Sequence, residues 1–154
     1  MLRITVVFAI FFLLFSCQNP DGKVLMKNIA GKWNKNDIQK FDFEINDAPN
    51  RKNIIFVVRN NNDYPYSNLR LIAKIEQNNK TLATDTLNYI LAEPNGKWLG
   101  TGFGDTKEIL FLYKPNYKFY ENGKYSIKIE QAMRKNILPG IEDFGINVKN
   151  LNKN

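Results

Sequence analysis

Between Gly123 and Val148 the chain alternates apolar and polar residues, and no other feature constrains the fold as tightly. Tyr125, Ile127 and Ile129 alternate with Lys124, Ser126, Lys128 and Glu130, the pattern of a strand with one buried face and one wet one. Glu121-Asn122-Gly123 supplies the turn before it. Phe144, Ile146 and Val148 alternate again, with Gly145, Asn147 and Lys149 between them. The link between the two strands carries Met133, Arg134, Leu138 and Ile141, broken by Pro139-Gly140. Two such strands joined across such a link predict the closing edge of a sheet sandwich, with Ile127 and Ile129 in the core and Lys128 exposed.

The same reading extends back to Phe41. Phe41, Phe43 and Ile45 share one face, with Asp42 and Glu44 opposite. Asn53–Val58 is apolar on both faces, which predicts a central strand. Leu69, Leu71, Ala73 and Ile75 form another buried row, and Asn78-Asn79 predicts a tight hairpin into Thr81–Tyr89. Ile109–Tyr113 is a second two-faced apolar run. Sustained helical periodicity is absent, although Ile90–Glu93 and Glu130–Lys135 each have room for about one helical turn. About eight strands with short turns predict an all-β, two-sheet antiparallel sandwich of jelly-roll or immunoglobulin-like topology.

The N-terminus is an address. Arg3 precedes an unbroken apolar run from Val6 to Phe15, too short for a membrane span of about 20 residues but right for a secretory signal. Leu14-Phe15-Ser16-Cys17 resembles the bacterial lipobox, and Cys17 is the one cysteine in the chain. That motif implies diacylglyceryl transfer to the thiol, cleavage before Cys17 and acylation of the new amine. Several acyl chains hold durably where one would not. Residues 1–16 are therefore expected to be a signal peptide, and residues 17–33 a lipidated cysteine with its tether. Residues 34–154 then form the sandwich. A tether of roughly 15 residues would extend up to about 50 Å.

Composition excludes much chemistry. The 154 residues contain no histidine and one cysteine, so neither a Cys/His zinc site nor a histidine-based triad can be assembled. No cofactor or metal is expected. The net charge of +7 is spread as single lysines rather than as a block, which argues against nucleic acid as a partner. Asp and Glu mostly alternate with apolar residues on wet faces, so paired catalytic carboxylates are not expected. The chain is read as a non-enzyme.

Four stretches carry a resemblance. They are Asn60–Leu69 (Asn-Asn-Asn-Asp-Tyr-Pro-Tyr-Ser-Asn-Leu), Asp85-Thr86-Leu87, Gly96–Gly102 (Gly-Lys-Trp-Leu-Gly-Thr-Gly), and Gly123-Lys-Tyr through Gln131-Ala-Met-Arg134 to Gly140–Gly145. In this order, behind a lipobox, they resemble the gliding-motility lipoprotein GldH family of the Bacteroidetes, over nearly the whole mature chain. The resemblance implies an outer-membrane lipoprotein needed for gliding and for type IX secretion, with partners among the envelope proteins of that machinery. It carries over no catalytic residues. Surface lipoproteins of these bacteria usually have an acidic pair just after the cysteine. Here only Asp21 is acidic in that stretch, so a periplasm-facing anchor is expected.

Candidate interaction residues follow from exposed-type aromatics and cations. Tyr64-Pro65-Tyr66 lies between two strands, where it either caps the sandwich or faces a partner. Gly96, Gly100, Gly102 and Gly104 space Trp98 and Phe103. No Lys-Ser/Thr pair follows to make that loop a phosphate cradle, and such glycines more often permit close backbone approach. Arg134 is expected to pair with Glu142 or Asp143. Thr86 sits in an Asp-Thr-Leu triplet of the kind these bacteria O-glycosylate. The alternative function is a glycan-binding module, with Tyr64, Tyr66, Trp98 and Phe103 stacking on sugar rings.

Overall fold

Alternation sets up strands, and pairing between distant strands decides the architecture. The computed structural model describes residues 24–151; the signal segment, Cys17 and residues 18–23 lie outside them. Ten strands follow in order: β1 (Val24–Asn28), β2 (Lys32–Asn34), β3 (Gln39–Ile45), β4 (Lys52–Asn60), β5 (Asn68–Gln77), β6 (Lys80–Ile90), β7 (Lys107–Tyr117), β8 (Gly123–Gln131), β9 (Ile137–Pro139) and β10 (Ile141–Asn150). One sheet has the order β1-β10-β4-β7, the other β3-β8-β5-β6, and β2-β9 is a small ribbon beside them. Every pairing is antiparallel. This is the expected two-sheet sandwich. Neither segment with room for a helical turn takes one: Ile90 ends β6, and Glu130–Lys135 finishes β8 and bends.

The inner faces are those the alternation marks. Ile127 and Ile129 are fully buried, as are Ile75 and Ala73 opposite them in β5 and Leu71 farther along that strand. From the first sheet come Ile54, Phe56, Val58, Phe144 and Ile146. Phe56 stacks on Tyr113 at 4.4 Å and tilts against Phe144 at 5.4 Å. Each such side chain contributes about 1.5–3 kcal/mol on leaving water. Lys128 departs from expectation: its chain lies on the outer face but is half-covered, because its Nζ pairs with Glu76 Oε2 at 2.8 Å.

The hairpin at Asn78-Asn79 forms as expected. Both residues are left-handed, with φ of 50° and 62°, and Gln77 opposes Lys80; two left-handed residues match the twist of the strands they join. β4 is a central strand, as its two apolar faces require, whereas β7 lies at the edge of its sheet.

The sandwich starts earlier than residue 34. β1 pairs with β10 from Val24↔Asn147 to Asn28↔Asp143, and Trp33 is fully buried against Phe144, its Nε1 donating to the Asp37 carbonyl at 2.9 Å. An edge of β10 needs a partner for its backbone groups, and an indole of that size is worth burying. A tether drawn through residue 33 is therefore too long. In sequence, residues 18–23 lie between Cys17 and Val24, where β1 starts.

Candidate functional site

One end of the sandwich gathers the segments in which the aromatic candidates lie. β4 stops at Asn60, and the chain turns through Asn61–Ser67 into β5. Asn61 makes that turn: its Oδ1 accepts from the Asp63 amide at 2.9 Å and its carbonyl from the Tyr64 amide at 3.2 Å. The same residue is tied to the β9–β10 corner, its amide donating to the Gly140 carbonyl at 2.9 Å and its Nδ2 to Glu142 Oε1 at 3.0 Å.

Tyr64 points inward. It is 3% exposed, and its hydroxyl donates to the Asn68 carbonyl at 2.7 Å. Burial raises its pKa well above the usual tyrosine value. It caps the core rather than facing a partner. Pro65 is exposed and Tyr66 half-buried, the Tyr66 ring edge-on to Tyr64 at 5.8 Å. The Trp98 ring also packs on Tyr64, tilted, at 6.4 Å. Its Nε1 donates to Asn62 Oδ1 at 3.0 Å, and Asn62 Nδ2 donates on to Asp105 Oδ1 at 3.0 Å. Trp98 is held there by a bridge to Ala92 and by the Leu99 amide donating to the Leu91 carbonyl at 2.8 Å.

The glycines between Trp98 and β7 serve close approach. A Cβ on Gly100 would stand 2.8 Å from the Glu108 carbonyl oxygen, and one on Gly102 would overlap the Thr106 carbonyl. That lets Thr101 and Glu108 exchange backbone hydrogen bonds of 2.9 and 2.7 Å. Phe103, at the loop tip, is fully exposed and stacks on no other ring among the described residues. The four aromatic candidates do not form one platform: Tyr64 is inside, Tyr66 and Trp98 flank it, and Phe103 stands apart.

Arg134 does not meet Glu142 or Asp143. β8 belongs to the second sheet and β10 to the first, so the link between them crosses the sandwich and leaves Arg134 on the far side. Arg59 takes the expected role instead, its Nε 2.8 Å from Glu108 and its Nη1 3.6 Å from Asp143. These carboxylates hold its pKa above the usual arginine value, the Glu108 hydrogen bond first. Glu142 accepts from Asn61 and from the Thr106 hydroxyl. Arg134 instead lines a cleft of about 300 Å³ with Tyr66, Asn68, Arg70, Ala132 and Met133. The cleft is braced by Met133 Sδ, which accepts from the Arg70 amide at 3.3 Å, and by the Ala132 amide, which donates to the Arg70 carbonyl at 2.8 Å.

Arg70 and Asn62 were not among the sequence candidates. Arg70 alternates onto the outer face of β5, and Asn62 is one of three consecutive asparagines. Neither pattern distinguishes a site residue from a solvated one. Two guanidinium forks beside a ring suit carboxylate or phosphate groups, and among the described residues no cluster of Asp, Glu, His or Cys is placed to hold a metal. Thr86 is exposed on the outer face of edge strand β6, opposite Ile72.

Comparison with known proteins places nearly the whole described sandwich in one family. The family model described as GldH lipoprotein matches residues 24–148. The gliding motility lipoprotein GldH homolog of Christiangramia forsetii is 43% identical over 125 residues, covering 77% of each chain. The gliding motility lipoprotein GldH of Flavobacterium johnsoniae is 38% identical over 131 residues, 84% of this chain and 81% of its own. Among solved structures, dimeric latent PorU from Porphyromonas gingivalis aligns with 84% of this chain and 13% of its own, at 7% identity and a TM-score of 0.38. With the match running from β1 to near the end of β10 and two relatives well above 30% identity, the chain belongs to the GldH lipoprotein family.

Proposed function

We propose that this protein is a non-catalytic lipoprotein of the outer membrane, periplasm-facing, that supports gliding motility and type IX secretion by docking an envelope partner. The observation that carries the reading is positional: a family match beginning at Val24 stands just behind a lipobox whose cysteine is the only one in the chain. Acyl chains on Cys17 hold the sandwich at the membrane. The docking surface is the end carrying Tyr66, Trp98 and the cleft between Arg70 and Arg134. Pro65 and Phe103 form its rim, and Tyr64 supports it from within. The cleft offers one ring beside two guanidinium groups, which favours acidic side chains of a protein partner over a neutral glycan.

The test is a deletion strain complemented with wild type, Cys17→Ser, Tyr66→Ala, Trp98→Ala or Arg70→Ala/Arg134→Ala, at matched abundance. Spreading and secretion of type IX substrates are then measured. Normal behaviour of the deletion strain would overturn the role. Full rescue by every aromatic and arginine variant would refute the docking surface, and normal outer-membrane fractionation of Cys17→Ser would refute the anchor. Thr86 is proposed as an O-glycan acceptor, supported by its exposure and its Asp-Thr-Leu context. Intact masses of native-host wild type and Thr86→Ala that differ only by the substitution would rule this out.

A further inference from the structure

The two outer faces of the sandwich are unlike. On the second sheet, Lys40–Asp42, Lys74–Glu130 and Lys128–Glu76 form a lattice of ion pairs at 2.7–2.8 Å. The outer face of the first sheet carries two adjacent cross-strand rows that are mostly apolar. Met26, Gly145, Val57 and Leu110 form one, and Val24, Asn147, Ile55 and Leu112 form the next. Leu110, Leu112 and Val24 are 60%, 54% and 43% exposed. Gly145 makes the face continuous: Met26 Sδ occupies the space a side chain there would need, and Val57 is buried between its neighbours, 4% exposed. A polar row of Asn28, Asp143, Arg59 and Glu108 borders the patch on one side. On the other side lie Lys149, opposite Asn53, and exposed Arg51.

We propose that this face rests on the membrane leaflet that holds the lipid anchor. The inference depends on the Cys17 reading above. Val24 is itself part of the patch, and the seven residue steps back to Cys17 reach about 25 Å at most. Four strands at about 4.8 Å spacing make the face narrower than that reach, so anchoring brings all of it to the lipid surface. Basic Lys149 and Arg51 lie on the side where the strand rows approach the chain entry, which complements anionic headgroups. Apolar patches of this kind mark protein or membrane contacts, and only the membrane is already tethered beside this one. The sandwich lies flat on this face, leaving the Tyr66–Trp98 end pointing along the surface, available to a partner.

The test uses the mature lipidated protein in vesicles of phosphatidylethanolamine and phosphatidylglycerol. Because Cys17 carries the lipid, an introduced cysteine is the single free thiol. An environment-sensitive fluorophore is placed by Leu112→Cys or, on the opposite face, by Thr84→Cys. The expected result is a blue shift and strong quenching by headgroup- and acyl-labelled nitroxide lipids at position 112, and neither at position 84. Equal, weak quenching at both sites in protein that floats with the vesicles would overturn the flat-lying face while leaving the anchor intact. A blue shift at position 112 without lipid quenching, accompanied by disulfide capture of two unlabelled Leu112→Cys chains, would overturn it in favour of a second copy. Failure of the wild type to float would remove the anchor reading and this inference with it.

Discussion

Gly140 packs directly onto the backbone of Tyr64. A Cβ at position 140 would overlap the Tyr64 amide nitrogen and stand 2.6 Å from its Cα, and φ at Gly140 is +80°. The contact joins the β9–β10 corner to the loop that carries the aromatic end, and Gly140 adds backbone hydrogen bonds to Asn61 and Gly31. Gly140→Ala therefore faces both left-handed strain and backbone overlap. It is expected to cost at least about 1–3 kcal/mol, with loss of the Tyr64 hydroxyl bond to Asn68. Urea melts and the tyrosine near-ultraviolet circular dichroism check this; an unchanged midpoint would show that the loop yields without penalty.

The faces of β8 make a second expectation. Ile127→Ala should cost about 2–5 kcal/mol, since Ile127 is fully buried. Lys128→Ala should cost under about 1 kcal/mol, because the pair with Glu76 is one-third exposed on the lysine side. Urea midpoints of a form beginning at Gln18 decide it; equal losses would mean that the strand faces are wrongly assigned.

Lys52 is a buried cation at the far end of the sandwich. Its side chain is 7% exposed, with Nζ 2.6 Å from both Asp47 Oδ1 and Asn150 Oδ1. The Lys52 hydrogen bond holds the Asp47 carboxyl below its ordinary pKa. Asp47→Ala leaves the ammonium without its counter-charge and is expected to lose about 3 kcal/mol, whereas Lys52→Met, which removes the charge, should be near neutral or stabilising. Denaturant melts of both variants test the asymmetry. A Lys52→Met protein weaker than Asp47→Ala would reverse it.

Across the β6–β7 edge, Asp85 accepts from the Tyr113 hydroxyl at 2.7 Å and pairs with Lys114 at 2.9 Å. Burial alone would raise the Asp85 pKa, but these two partners hold it below the usual aspartate value. A carboxyl depressed in the folded state stabilises above its unfolded pKa, and that stability disappears as pH falls through the folded value. Stability should thus be level from about pH 7 to about pH 5 and fall below about pH 4. Asp85→Asn should lower the neutral plateau by about 1–2 kcal/mol and shrink the acid loss. On the alkaline side, burial raises the Tyr113 pKa, with the Asp85 hydrogen bond adding to it, so its contribution is lost as pH rises above the ordinary tyrosine range. Melts across pH check both limbs; an acid limb unaltered in Asp85→Asn would assign it to other carboxylates.

The pleat writes itself into sequence, so the buried rows of β3, β5, β8 and β10 were legible: successive side chains must take opposite faces wherever one face is dry. The Asn78-Asn79 hairpin was legible for the same local reason, since its left-handed residues must be of a type that tolerates that backbone. The family was legible as a set of short chemical patterns. Partner choice was not. β1 is five residues long, too few to alternate convincingly, and its strand status comes from β10, more than a hundred residues away. β7 has the two-faced apolar pattern of a central strand, yet it lies at an edge, so its outward-facing Leu110 and Leu112 stay exposed. Arg134 stands eight residues before Glu142 in sequence but on the other sheet's side of the fold, and its companion Arg70 comes from a distant strand. In β3, β5, β8 and β10 local alternation fixed which side is buried, because that depends only on backbone geometry. Which strands neighbour one another, and hence which residues meet at the aromatic end and on the apolar face, was decided by the energy of packing the whole core, a non-local quantity that no single stretch of sequence contains.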